Sequence, residues 1–169
     1  MSIRIGGLER HHDRNDFDSG EPELNTFLQR LARQQSDRDF SRTYVAAVPG
    51  EARIRGYYAI SSASIDFKNL PSTLKLPRYP VPVARIGRLA VDLREQDNGV
   101  GGALLTHAMR LAASLAQQIG LYALVVDAKN EAVATFYTRY GFQRFADEGL
   151  SLFLTTDVIR RAMAAPSTA

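Results

Sequence analysis

RLAVDLREQDNGVGG, Arg88 to Gly102, runs directly into ALLTHAMRLAASLAQQIG, Ala103 to Gly120, and this join decides the fold. The first residues read as a strand and the polar middle as a loop. The second segment reads as a helix over Gly101 to Ile119, with Leu104, Leu105, Ala108, Leu111, Ala112 and Leu115 facing inward and Gly120 as its stop. Gly99, Gly101 and Gly102 let the backbone approach a ligand without interference from Cβ atoms. First-turn amides have no intrahelical partners and lie at the positive end of the helix dipole, so the join suits a pyrophosphate. A dinucleotide site of the strand-turn-helix kind is the rival, because the next strand ends in Asp127, where a ribose-binding acid belongs. Against it, Leu104 stands at the third glycine position of that fingerprint, and a long loop separates Val91 from Gly99. The Gly-Lys-Ser/Thr of a Walker loop is absent.

Working outward, Ser2 to Leu8 reads as a strand, and Glu21 to Gln35 as a helix with Leu24, Phe27, Leu28 and Leu31 on one face. Thr43 to Val48 and Ile54 to Ile65 are strands joined through Pro49-Gly50. Pro71, Pro77, Pro80 and Pro82 interrupt the chain in what reads as an exposed excursion carrying Lys68, Lys75 and Arg78. Ile86 to Val91 is the next strand, and Tyr122 to Ala128 follows the long helix. Glu131 to Tyr140 is a short helix ended by Gly141, and Phe142 to Phe145 and Leu150 to Thr155 are closing strands. Thr156 and Asp157 are the candidate caps of a last helix.

At 169 residues the chain fits one domain able to sustain its own core, expected over 1–163 with 164–169 as a disordered C-terminal tail. There is no cysteine, which excludes disulfides, thiolate metal sites and a cysteine nucleophile, and fits a reducing cytoplasm. The N-terminus lacks the apolar core of a signal sequence, and no run is long enough to span a bilayer, so a soluble cytoplasmic protein without membrane contact is expected. His11, His12 and His107 have no metal-ligand spacing, and no metal is expected. The net charge is +3, and all but three of the 21 basic residues are arginine, which suits bidentate phosphate recognition but equally follows from a GC-rich genome.

The order Gln96, Gly99, Gly101, flanked by RLAVD, LVVDA and then NEAVATFYTRYGF at Asn130 to Phe142, resembles the GNAT acetyltransferase superfamily. That resemblance implies an α/β (α+β) fold with a central mixed sheet of about six to seven strands and helices on both faces. It implies acetyl-CoA as co-substrate, held by Leu89, Ala90, Val91, Gln96, Asp97, Asn98, Gly99, Val100, Gly101, Gly102, Asn130 and Phe136. The amides of Leu89 to Val91 would polarise the thioester carbonyl, and Tyr137 would act as general acid on the departing thiolate. Read from spacing alone, Val133, Phe136, Tyr137 and Tyr140 form a stripe that also suits a buried helix face, and Asn130 also suits a helix cap. Asp97 departs from the glycine that the family commonly carries there and places a carboxylate near the expected pyrophosphate.

Within that superfamily, FDSGEPELNTFLQRLARQ at Phe17 to Gln34, GYYAISSASI at Gly56 to Ile65 and YPVPVARIGRLAVD at Tyr79 to Asp92 are similar to toxins of bacterial toxin–antitoxin pairs that acetylate aminoacyl-tRNA. The strand before the glycine loop carries Arg85 and Arg88 where many relatives place a glutamate base. An α-amine, with a reference pKa of about 7.7 to 8.0, needs less help from a base than a lysine does. The resemblance makes Arg30, Arg33, Arg38, Arg42, Arg78, Arg85 and Arg88 candidates for tRNA contact, although charged residues on such helices are commonly just solvated and Arg85 or Arg88 could simply pair with surface carboxylates. A ribbon-helix-helix antitoxin is the implied partner, and a homodimer is a further expectation. Two other readings stay open: a housekeeping acetyltransferase for a small-molecule or protein amine, and a non-catalytic acetyl-CoA-binding module.

Overall fold

The computed structural model describes residues 2–147 and 149–164. Most of the tail assigned to 164–169 therefore lies outside the described residues, while Ala164 itself closes the last helix. In chain order the elements are β1 (Arg4–Gly7), α1 (Pro22–Thr26), a π-helical turn (Phe27–Leu31), α2 (Ala32–Asp37), β2 (Arg42–Ala47), β3 (Gly56–Ile65) and β4 (Val81–Val91). They continue with α3 (Val100–Ala116), β5 (Ala123–Asp127), α4 (Glu131–Arg139), β6 (Gln143–Arg144), β7 (Ser151–Thr155) and α5 (Thr156–Ala164). The strands form one mixed sheet of seven in the order β1-β2-β3-β4-β5-β7-β6. By compactness the chain divides into two units, one comprising residues up to Ser61 with Ile86–Ala108, the other Ser62–Arg85 with residues from Met109 onward.

In the first unit β1 and β2 are antiparallel with Arg4 opposite Ala47, and β2 and β3 with Tyr44 opposite Tyr58. The expected hairpin turn is present, with Gly50 at φ +86°. Phe17, Phe27, Leu28, Ala32, Val45, Ile54 and Tyr57 make the core. Tyr57 is stacked on Phe27, meets Phe17 edge-on, and donates its hydroxyl proton to Leu24 O at 2.7 Å, so its one polar atom is satisfied inside.

The first helical segment departs from simple amphipathic spacing. Ala32 N donates to Phe27 O, five residues back, and this wide turn rotates the face by one position. Phe27, Leu28 and Ala32 are buried as a result, whereas Leu31, expected on the inward face, is 39% exposed. Gly56 serves a close approach: a Cβ there would lie 2.8 Å from Val100 Cγ1, 2.9 Å from Leu104 Cδ1 and 3.0 Å from Ala90 O. The first turn of α3 is thereby seated against backbone.

In the second unit β5 and β7 are antiparallel, with Asp127 opposite Ser151 and Val125 opposite Phe153. Leu70, Val81, Val83, Ala123, Val125, Phe145 and Phe153 form its core, and Phe145 and Phe153 are stacked at 5.4 Å. The proline-rich segment is not wholly an exposed excursion. Two 3-10 turns, Phe67–Asn69 and Ser72–Leu74, bring Leu70 into the core with Leu74 and Leu76 packed against it. β4 starts at Val81, ahead of the expected Ile86, because Pro82 still offers a carbonyl, which accepts from Tyr122 N at 2.8 Å.

Two helix ends also differ from expectation. α3 stops at Ala116 rather than Ile119, and its end tightens into bonds from Gln117 N to Ser114 O and Gln118 N to Leu115 O. α5 is capped by Thr155, whose hydroxyl accepts from Val158 N at 3.3 Å. Thr156, an expected cap, instead donates its hydroxyl proton to Leu121 O at 2.7 Å and is buried. Gly141, at φ +96°, follows the α4 terminus as anticipated.

Overpacking at the contact beneath α3 is a direct test of this architecture. Gly56→Ala is expected to lower stability by about 1–3 kcal/mol, measured from urea midpoints at unchanged m-value.

Candidate active site

The glycine loop belongs to the first unit and is held by two buried carboxylates. After β4 the chain makes a 3-10 turn, Leu93–Glu95, capped by Asp92 Oδ1, which accepts from Arg94 N at 2.9 Å. Asp92 is 1% exposed. It also accepts from Asp18 N at 3.1 Å and from Arg94 Nε at 2.9 Å, and Arg94 reaches on to Asp16 Oδ2 at 2.8 Å. Burial disfavours the Asp92 charge, but the side-chain and backbone bonds from Arg94 and the amide of Asp18 outweigh it, so its pKa falls to about 2.

Glu95, at the other end of the turn, is likewise buried. Its Oε1 lies 2.5 Å from Arg53 Nη2 and 3.6 Å from Arg55 Nη1, and Asn98 Nδ2 donates to Oε2 at 3.3 Å. Burial opposes ionisation there too. The bonds from Arg53 and Asn98 and the charge of Arg55 nevertheless hold its carboxyl below the usual range.

Beyond this anchor Gln96, Asp97, Asn98 and Gly99 are exposed and Val100 is buried. Gln96 turns back, its Nε2 donating to Val91 O at 3.3 Å. Asp97 and Gly99 both adopt left-handed backbone, φ +66° and +79°. Glycine occupies that region freely, whereas for aspartate it is strained. The departure from the family pattern therefore carries a backbone cost as well as a charge. The helical bonds of α3 open with Ala103 N to Gly99 O at 3.1 Å, leaving the amides of Val100, Gly101 and Gly102 ahead of the first closed turn. Of the β4 residues implied in acetyl-CoA contact, Ala90 is buried and Leu89 and Val91 are half-buried.

In the second unit, Tyr137 is 3% exposed on α4, with its ring against Phe136 at 5.3 Å and Phe142 at 5.7 Å. Both readings of the residue coexist in its placement: the ring is core, and the phenol is an ionisable group kept neutral. Burial, reinforced by the negative charge of Asp127, pushes its pKa up, which makes it a proton donor throughout the neutral range. Of the stripe expected to be buried, only Tyr137 is; Val133, Phe136 and Tyr140 are half-buried. Asn130 caps α4, its Oδ1 accepting from Val133 N at 3.0 Å. That engages the side chain and leaves its amide nitrogen for other contacts.

The arginine candidates fall into distinct settings. Arg85 is locked on Asp127 through Nε to Oδ2 at 2.8 Å and Nη2 to Oδ1 at 3.1 Å, and Ser151 Oγ donates to the same carboxylate at 2.7 Å. Arg88 lies over the Phe27 ring, 4.1 Å from its centroid. Arg42 is paired with Asp39 at 2.6 Å, and Arg38 lies over the Phe40 ring at 4.8 Å. Arg30 and Arg78 are exposed and Arg33 is half-buried. Sequence reasoning did not single out Asp92, Glu95, Arg53 and Arg55 as the frame of the loop. The bonds of Glu95 to Arg53 and Arg55 and of Asp92 to the Asp18 amide span about forty residues or more, so no local spacing announces them. Among the described residues no group of three histidine or carboxylate side chains could hold a metal ion, and no helix is long and apolar enough to cross a membrane.

With the glycine loop, the free amides and the neutral buried tyrosine in place, the chain matches the Acetyltransferase (GNAT) domain over residues 39–144. It belongs to the GNAT acetyltransferase family. It is 35% identical over 144 residues to a tRNA-acetylating toxin of Mycobacterium tuberculosis (strain ATCC 25618 / H37Rv), spanning 84% of this chain and 85% of that one. Its fold is similar to that of AtaT complexed with acetyl-methionyl-tRNAfMet, with a TM-score of 0.90, 30% identity and coverage of 96% of this chain and 100% of that one. It is also similar to a tyrosine-to-phenylalanine mutant of the toxin AtaT bound to the C-terminus of the antitoxin AtaR and acetyl-CoA, with a TM-score of 0.84, 27% identity and coverage of 98% and 100%.

The loop anchor has a pH signature. The fold lowers the Asp92 pKa from 3.8 to about 2, so its contribution to stability is complete above about pH 4 and is lost as pH falls from there toward 2. Asp92→Asn is expected to cost about 2 kcal/mol at neutral pH and to flatten the stability profile between pH 4 and 2, read by denaturant titration at each pH.

Proposed function

We propose that this acetyltransferase moves the acetyl group of acetyl-CoA onto the α-amine of aminoacyl-tRNA, blocking translation, and that it is the toxin of a toxin–antitoxin pair. The observation that carries this reading is similarity along nearly the whole chain to proteins of that activity, outside the glycine loop as well as within it. In this reading the amides of Gly99, Val100, Gly101 and Gly102 bind the pyrophosphate, with Gln96, Asp97 and Asn98 at the rim. The β4 backbone from Leu89 to Val91 pairs with the pantetheine arm and polarises the thioester carbonyl. Asn130 and Phe136 line the arm.

The chemistry needs one attack and one protonation. The neutral amine nitrogen adds to the thioester carbonyl carbon; the carbon–sulfur bond then breaks, the thiolate takes the Tyr137 proton, and the proton that the nitrogen gives up returns, directly or through solvent, to the phenolate. Burial of the Tyr137 phenol supports that role, because it raises the pKa and so keeps the proton in place through the neutral range. Arg30, Arg33 and Arg78, which have no ion pair among the described residues, supply phosphate contacts. Arg38, Arg42, Arg85 and Arg88 do so from positions in which each already has an aromatic or acidic partner. An antitoxin of the ribbon-helix-helix class is the expected regulatory partner, and the cytoplasm, where charged tRNA is found, is the expected compartment.

Tyr137→Phe is expected to keep acetyl-CoA affinity and lower turnover on aminoacyl-tRNA by roughly 10²- to 10⁴-fold, with loss of growth arrest on induced expression. Unchanged turnover removes Tyr137 from the mechanism, and absence of tRNA acetylation by the unmutated protein removes the acceptor. Asp97→Gly relieves a strained backbone and removes a carboxylate beside the pyrophosphate site, so acetyl-CoA is expected to bind roughly fivefold tighter by calorimetry.

A further inference from the structure

Phe40 is an exposed aromatic that neither the fold nor the reaction accounts for. It follows α2 in the turn before β2 and is 60% exposed, more than the other exposed large apolar side chains of this unit, Leu31 and Leu93. The turn that presents it is tied down at several points. Phe40 N donates to Gln35 O at 2.9 Å, Asp39 N to Ser36 O at 3.2 Å, and Ser41 Oγ to Gln35 Oε1 at 3.0 Å. Arg42 clamps the turn through Ser36 O at 2.7 Å and Asp39 Oδ1 at 2.6 Å. Asp39 itself is held at φ +61°, a left-handed conformation that costs stability in a residue other than glycine. An aromatic ring displayed to solvent on a turn tied by these bonds is placed to make a contact.

The setting of the ring specifies the contact. The guanidinium of Arg38 lies over it at 4.8 Å, so cation and ring already form a stacked pair while most of the ring surface stays open. Exposed Arg30 and partly exposed Leu31 belong to the helical segment that leads into the turn, and Arg33 follows them. Asp37 and Asp39 are the acids of this stretch, against Arg30, Arg33, Arg38 and Arg42, which leaves it net basic. An aromatic ring with a stacked arginine on a net basic surface fits an unpaired nucleobase, whose π-face stacks on the ring while the arginines meet the backbone phosphates.

We propose that Phe40 and Arg38 form a stacking platform for an unpaired base of the RNA substrate. The proposal rests on the reading of this chain as a tRNA acetyltransferase and adds a sequence-tolerant contact to it. Stacking requires a flat π-face, so the platform should accept any aromatic side chain and reject an aliphatic one of similar size.

The test compares Phe40→Trp, Phe40→Leu and Phe40→Ala in the full chain for acetylation of aminoacyl-tRNA, with acetyl-CoA affinity and thermal unfolding measured alongside. Phe40→Leu and Phe40→Ala are expected to raise KM for aminoacyl-tRNA roughly tenfold with kcat little changed, and Phe40→Trp to retain the unmutated KM. Acetyl-CoA affinity and melting temperature should not move. If the unmutated protein acetylates aminoacyl-tRNA and all three variants match it, the platform is overturned while the functional reading stands. Full activity of Phe40→Leu beside loss in Phe40→Ala overturns stacking in favour of simple apolar contact. Unchanged KM together with loss of antitoxin neutralisation in the variants assigns the ring to a protein partner and overturns the RNA contact. No acetylation by the unmutated protein refutes the underlying function instead.

Discussion

Two buried carboxylates, Asp92 and Glu95, are the constraint on which the glycine loop depends. Free helix amides attract an anion only if the chain ahead of them is held in place, because a mobile loop would spend the binding energy on its own ordering. Asp92 and Glu95 stand at the two ends of a single 3-10 turn. Each is tied to residues distant in the chain, Asp92 to Asp18 and Glu95 to Arg53 and Arg55. Removing one side of such a pair leaves a buried charge without a partner, which is costlier than the pair is stabilising. The arrangement therefore specifies one loop position more than it adds to stability. Gly56 completes it by letting the first turn of α3 sit directly against β3 and the Ala90 carbonyl.

Electrostatics in the second unit follow the same logic with a different outcome. Asp127 adds negative charge in the neighbourhood of Tyr137, and burial acts in the same direction, so both keep the phenol protonated. A general acid needs the proton to be present at the start of the reaction and the departing atom to accept it. A thiolate, with a reference pKa for thiols of about 8.5, is a weaker acceptor than the buried phenolate, so transfer is completed only as the carbon–sulfur bond breaks and negative charge accumulates on sulfur. In the proposed mechanism Tyr137 would therefore act late in the step, with its stabilisation felt in the transition state rather than in the bound substrate.

The strands, the long helix and the glycine loop were legible because they rest on local periodicity and on residues with special backbone freedom. Gly50, Gly99 and Gly141 all occupy the left-handed region where the sequence placed turns or a helix end. What escaped was whatever depends on a partner far along the chain or on a change of helical pitch. No pattern in FLQRL announces a π turn, and its effect on Leu31 follows from one extra residue in the turn. Leu70 looked like part of an exposed proline-rich segment until the 3-10 turns carried it into the core. The glycine loop was legible as a motif, whereas its frame of Arg53, Arg55, Asp92 and Glu95 was not, since ion pairs between strands and loops leave no spacing to read. For Asn130, the structure supplies the cap that the sequence left in balance with ligand contact.

The setting of Asp127 bears on which amine can serve as acceptor. A carboxylate able to take a proton from an ammonium group needs a free oxygen and no cation held against it. Asp127 has both oxygens on Arg85 and one also on Ser151, so each oxygen already has a donor held against it. Among the residues of β4 no acid stands in for it, the strand reading VPVARIGRLAV. In the proposed reading the acceptor then supplies its own neutral nitrogen. A lysine ammonium, at about 10.4, is almost wholly charged at neutral pH, whereas an α-amine at about 7.7 to 8.0 offers a neutral fraction of roughly a tenth or more. Esterification of the neighbouring carboxyl withdraws electrons and enlarges that fraction. The pairing of Arg85 with Asp127 thus fits the proposed acceptor, because an α-amine asks least of a carboxylate already occupied by a cation.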